Sequence, residues 1–151
     1  AQAAAAARLS GGNLIELKKI LSEDYSENVR ENFEYFADLM RYSYNDRHLE
    51  LLGWAENMAA LGRENQKRFL EYSTGMLRES YMISAGLENI SYLWGGEAEF
   101  CSKFAPFIGN HNIEQLVAEN QYALRDITQN GNAKIVFTHY ALSVSKLIVK
   151  L

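Results

Sequence analysis

A single proline, Pro106, stands in 151 residues. Proline removes a backbone donor and clashes with the preceding turn, so its near absence lets long helices run unbroken. The aromatic content (nine Tyr, seven Phe, two Trp) is strand-like by propensity. Its spacing is helical, however, and no convincing apolar–polar alternation is present.

Helix by helix, the pattern reads as follows. A short helix is expected over residues 3–9, stopped by Ser10-Gly11-Gly12, and a second from Asn13 through Leu14, Leu17, Ile20 and Leu21. Ser22 to Asp24 reads as a break, and Ser26 as the cap of a third helix. Its stripe runs Val29, Phe33, Phe36, Ala37, Met40, Tyr44. Asn45-Asp46 ends that helix and caps a fourth, which carries Leu49, Leu52, Ala55, Met58 and Ala59 and ends at Gly62. The fifth spans Arg63 to about Ser84. Gly75 inside it costs about 1 kcal/mol against Ala, and close packing is one reason for a glycine there.

Residues 86–96 read as an ordered loop. A short helix over 97–105 ends at Pro106. Asn112 caps the next, with Gln115 placed for a capping box. Asn130-Gly131-Asn132 is a turn, and the last helix runs from about Ala133 to Leu151. That helix is apolar on more than one face, which suits a central position or a contact surface. The expected fold is all-α: an antiparallel bundle of about five main helices after a short N-terminal helical piece.

Charge and composition narrow the function classes. Fifteen Lys+Arg against 19 Asp+Glu leave a formal charge of −4, which offers no general attraction to nucleic-acid phosphates. A lone cysteine, Cys101, excludes an internal disulfide framework and reads as a buried, inert thiol. No run approaches the ~20 apolar residues of a membrane span. Neither a signal-peptide pattern nor an initiator Met opens the sequence, so a piece cut from a longer chain is expected.

Catalytic motifs are missing. No phosphate-binding glycine loop is present, and Gly11-Gly12 and Gly95-Gly96 read as turn glycines. His48, His111 and His139 fall on three separate elements without metal-ligand spacing, so neither a metal nor another cofactor is expected. Glu23-Asp24, Glu31-Glu34 and Glu97-Glu99 read as solvated acidic faces. Arg63, Lys67 and Arg68, with Arg78 further on, form a small basic patch whose default reading is helix-surface charge. Phe100, Phe104 and Phe107 read as core or interface. These residues describe a helical interaction module without an active site.

Two stretches carry a resemblance. Arg8-Leu9-Ser10-Gly11-Gly12-Asn13-Leu14-Ile15-Glu16 resembles the end of the lid domain in clamp-loader subunits of bacterial DNA polymerase III. Asn130-Gly131-Asn132-Ala133-Lys134-Ile135-Val136-Phe137-Thr138-His139-Tyr140-Ala141-Leu142 resembles the start of the last helix of their collar domain. Residues 66–70 and 103–108 look like delta-prime subunits of the Bacteroides type. In the ATP-hydrolysing subunits the lid turn reads Gly-Ser-Leu-Arg-Asp-Ala, and its arginine touches nucleotide phosphates. Here Ile15 falls at that position, which favours a delta-prime over a gamma/tau subunit and implies no nucleotide binding.

The resemblance implies that residues 1–22 end an AAA+ lid and that 23–151 form the collar. It also implies a cytoplasmic protein that packs against gamma/tau and delta subunits during sliding-clamp loading, with no direct contact to nucleic acid. The candidate interface residues on the last helix are Ile135, Val136, Tyr140, Leu142, Val144 and Leu147. Self-association of the isolated chain is a further expectation, because exposed apolar interface finds partners. The competing readings are a gamma/tau collar, an unrelated adaptor that grips an amphipathic peptide in a groove, and a small helical enzyme using His111, Glu114 or His139.

Overall fold

The computed structural model describes residues 23–87 and 95–148. The readings for residues 1–22, including Ile15, and the readings for 88–94 and 149–151 lie outside that range. The described residues form an all-α bundle of six packed helices with no strand. They are α1 (Glu23–Tyr44), α2 (His48–Ala59), α3 (Arg63–Ser84), α4 (Gly95–Phe104), α5 (Ile113–Thr128) and α6 (Ala133–Leu147). A 3₁₀ turn over Ala105–Phe107 follows α4 and contains Pro106, where a missing N–H costs nothing.

Three helix ends share one device. α1, α3 and α5 each close with a left-handed residue, at Asp46 (φ 53°), Gly86 (φ 82°) and Asn130 (φ 65°). In each case the next N–H reaches back five residues, as Arg47 to Tyr42, Leu87 to Met82 and Gly131 to Asp126. The left-handed residue donates three residues back, to Ser43, Ile83 and Ile127. This double closure satisfies carbonyls that a helix end would leave open. At Gly131 the close approach also demands glycine, since a Cβ there would stand 2.8 Å from the Asp126 carbonyl oxygen.

Several local expectations need correction. Gly95 and Gly96, read as turn glycines at the end of a loop, already belong to α4, and α6 stops at Leu147, short of Leu151. α1 already includes Glu23 and Asp24, so these two residues are helical and Ser26 lies within the helix. Asp46 stops α1 and does not cap α2; the residue before α2 is Arg47, whose guanidinium grips Glu50 at 2.6 Å. Asn112 stands before α5 but makes no cap bond to it. Its carboxamide turns the other way, accepting from Gly109 N–H and donating to the Phe107 and Leu147 carbonyls. Gly75 has open space where a Cβ would sit, so close packing does not explain it.

The core gathers from every helix. α6 lies against α2 along much of its length and also meets α5 and α1; α3 packs chiefly on α5. Trp54 is the hub: its ring meets Phe69 at 5.5 Å, Tyr140 at 6.1 Å and Phe137 at 6.3 Å. Its indole N–H donates to the Tyr35 carbonyl, tying α2 to α1. Gln66 is buried, and its amide donates to the Met58 and Ala59 carbonyls that end α2.

Candidate interaction face

The last helix was expected to be central or to present a contact surface, and its residues divide between those two roles. Tyr140 and Val144 are buried, together with Phe137 and Ala141. These side chains are committed to the chain's own core. Leu142 and Leu147 are half-buried, and Val136 is too. Ile135 alone of the six candidates is open to solvent, at 68% exposure.

Local chemistry fixes where α6 begins, and so which way these residues face. The Asn132 side chain accepts the Ile135 N–H, a standard cap for one of the orphan donors of a first turn. Asn130 and Gly131 have just ended α5. With α5 stopped and α6 started within four residues, the two helices lie side by side and Ile135 emerges at their seam.

That seam holds a shallow depression of about 140 Å³. Its walls are Tyr122 and Ala123 from α5 and Ile135 and Val136 from α6, with Tyr140 below. Glu119, Asp126 and His139 complete the lining. Pockets for drug-sized ligands generally run to about 300–1,000 Å³, so this depression is smaller than those. Tyr122 is 51% exposed, and Arg125 lies over its ring at 5.3 Å.

Under the seam lies a polar network that pattern reading did not reveal. The buried Tyr140 hydroxyl donates to Asn120 Oδ1 at 2.8 Å and lies 3.1 Å from Ser73 Oγ. Asn120 in turn donates to the Leu116 carbonyl. Three helices, α3, α5 and α6, are therefore joined through one hydroxyl. Burial is the main reason the phenol pKa is raised well above its ordinary value. The phenol stays neutral and acts as a hydrogen-bonding hub, not as an acid or base.

The remaining chemistry-bearing residues are dispersed. His48, His111, His139 and Glu114 are all exposed. Among the described residues no group of three or more His, Cys, Asp or Glu side chains could hold a metal ion. Cys101 is fully buried beside Ser80, and burial pushes its thiol up to about 11. A thiol that stays protonated at neutral pH is a poor nucleophile.

The basic patch is partly structural. Arg63 donates to the Ile127 carbonyl at 2.8 Å, placing a cation at the negative end of α5. Lys67 lies 3.6 Å from Glu64, and Arg68 reaches Asn65 at the edge of hydrogen-bonding distance. Phe100, Phe104 and Phe107 stack against one another and reach Phe33, Phe36 and Tyr44. They cover α4 and the 3₁₀ turn where these meet α1.

No described helix is long and apolar enough to cross a membrane. Comparison with protein-family models, with curated proteins and with solved structures gave no match to this chain.

Proposed function

We propose that this chain is the collar region of a delta-prime-like subunit of a bacterial clamp loader. It acts as an oligomerisation domain, packing against gamma/tau and delta collars while sliding clamps are loaded in DNA replication. It carries no catalysis of its own, and the enzymatic work belongs to partner modules. The observation that carries this reading is the junction over residues 130–135. The stretch that resembles the start of a collar's last helix does start the last helix of a six-helix bundle, at Ala133. The all-helical architecture supports it as well.

The test is size-exclusion chromatography of this chain mixed with gamma/tau and delta subunits of the same organism. The expected result is a stable complex without nucleotide that survives moderate salt, because apolar packing is screened far less than exposed ion pairs. Helical, folded protein that associates with neither subunit overturns the assignment. The second reading, an adaptor for an amphipathic segment, would then stand on the seam between α5 and α6.

A further inference from the structure

The seam between α5 and α6 has an unusual charge arrangement for an apolar depression. Glu119 and Asp126 both line it, and no lysine or arginine does. They sit seven residues apart on α5, two turns or about 10 Å along the axis, with Tyr122 and Ala123 between them. The space they bracket is about 140 Å³. A cavity of about 150 Å³ accepts a benzene-sized group, so this one accepts a single large apolar side chain. Asp126 is engaged by its exposed neighbour Arg125 at 3.1 Å. Exposed pairs of this kind are worth little, and a partner's cation can take over at small cost.

We infer that this seam docks a helix of a partner protein that carries one large apolar anchor flanked by Lys or Arg residues seven positions apart. The anchor fills the space between Tyr122, Ile135 and Val136. The two cations meet Glu119 and Asp126 at the same two-turn spacing that those carboxylates have on α5. Exposure of Ile135 and Tyr122 supplies the apolar contact, and the carboxylates set orientation and exclude acidic partners. This inference rests on the interaction role proposed above. Its test uses no clamp-loader subunit, so failure of the seam and failure of the collar assignment are separate results.

The probe is a phage-displayed library of random 15-residue peptides, selected against the full 151-residue chain. The expected enrichment is an apolar residue bracketed by Lys or Arg at seven-residue spacing. Against a Glu119→Lys/Asp126→Lys double variant, the selected charges should reverse to Asp and Glu. A synthetic peptide of the enriched sequence should bind an Ile135→Asp variant at least tenfold more weakly. Circular dichroism checks that each variant keeps its helical signal, and Ile135→Ser replaces any that does not. No enrichment, enrichment of acidic peptides, or binding unchanged in the variants each overturns the proposal.

Discussion

Two aromatic clusters hold this bundle, and they work differently. The central one joins Trp54, Phe69, Phe137 and Tyr140 across α2, α3 and α6, and all four are buried. Its polar atoms are directed: Trp54 N–H to Tyr35, Tyr140 O–H to Asn120. The edge cluster joins Tyr44, Phe100, Phe104 and Phe107, where the 3₁₀ turn and α4 meet α1. Phe100 and Phe107 are only half-buried and Tyr44 is exposed, while Phe104 is buried. Apolar burial is non-directional and tolerates sliding, whereas a buried hydrogen bond is satisfied in one arrangement only. The centre therefore fixes how the helices register, and the edge mainly covers them.

Removing one ring from each cluster gives the widest contrast. Trp54→Ala should cost about 3–5 kcal/mol, since it opens a cavity at a site that cannot collapse. Phe107→Ala should cost about 1–2 kcal/mol, because a half-buried ring loses less transfer energy. Urea titration of both variants checks this, and equal losses would abolish the distinction between centre and edge.

Directional bonding is tested next. Tyr140→Phe keeps the ring but leaves Asn120 Oδ1 and Ser73 Oγ without their shared partner, at a cost of about 1–3 kcal/mol. Adding Asn120→Leu should cost less than the two single changes summed, a coupling typical of side chains in one network. Strict additivity in that cycle would mean that the hydroxyl contributes nothing through Asn120.

Alkali sharpens the comparison from another direction. Cys101 is raised from 9.0 to about 11 in the folded chain, so unfolded molecules ionise first as pH rises. Its contribution to stability is full below pH 9 and is lost between about pH 9 and 11, with a slope of up to about 1.4 kcal/mol per pH unit. Cys101→Ala should flatten that part of the stability profile. The Tyr140 phenol is shifted in the same direction, so some alkaline loss should remain. An unchanged profile in Cys101→Ala would place the alkaline sensitivity elsewhere.

The smallest effect is a gain. Gly75 sits inside α3 with open space around a would-be Cβ. Gly75→Ala should raise stability by about 0.5–1 kcal/mol through lower chain entropy in the unfolded state. Thermal melting reads the shift, and a lower midpoint would reveal a close contact at that position.

Much of the fold was legible because helix period and helix stops are local. α3 spans Arg63–Ser84 as its apolar spacing and the preceding Gly62 foretold, and Pro106 does follow α4. The failures cluster at side chains with a choice of partner. Asn112 had the sequence position of a cap, but carbonyls of Phe107 and Leu147 lay within reach of its buried amide. Asp46 was read both as the end of α1 and as the cap of α2; its left-handed backbone does close α1, but Arg47 stands between it and α2, which starts without a side-chain cap. The seam was only half visible: Ile135 and Val136 were picked from α6, but Glu119 and Asp126 gave no signal. Nothing in the spacing along α5 reveals which of its sides meets α6.

The sequence by itself determined that this chain would be helical and where most of its helices would stop. Apolar period, a lone proline and the turn residues act within a few positions of one another, so no distant contact is needed to read them. The tertiary structure decided which side of α6 is spent on the core and which emerges at the seam. It also brought Ser73, Asn120 and Tyr140 to one hydroxyl, across as many as 67 positions of chain. Those outcomes depend on how six apolar faces pack at once, and packing is a property of the whole assembly of helices and of no single segment.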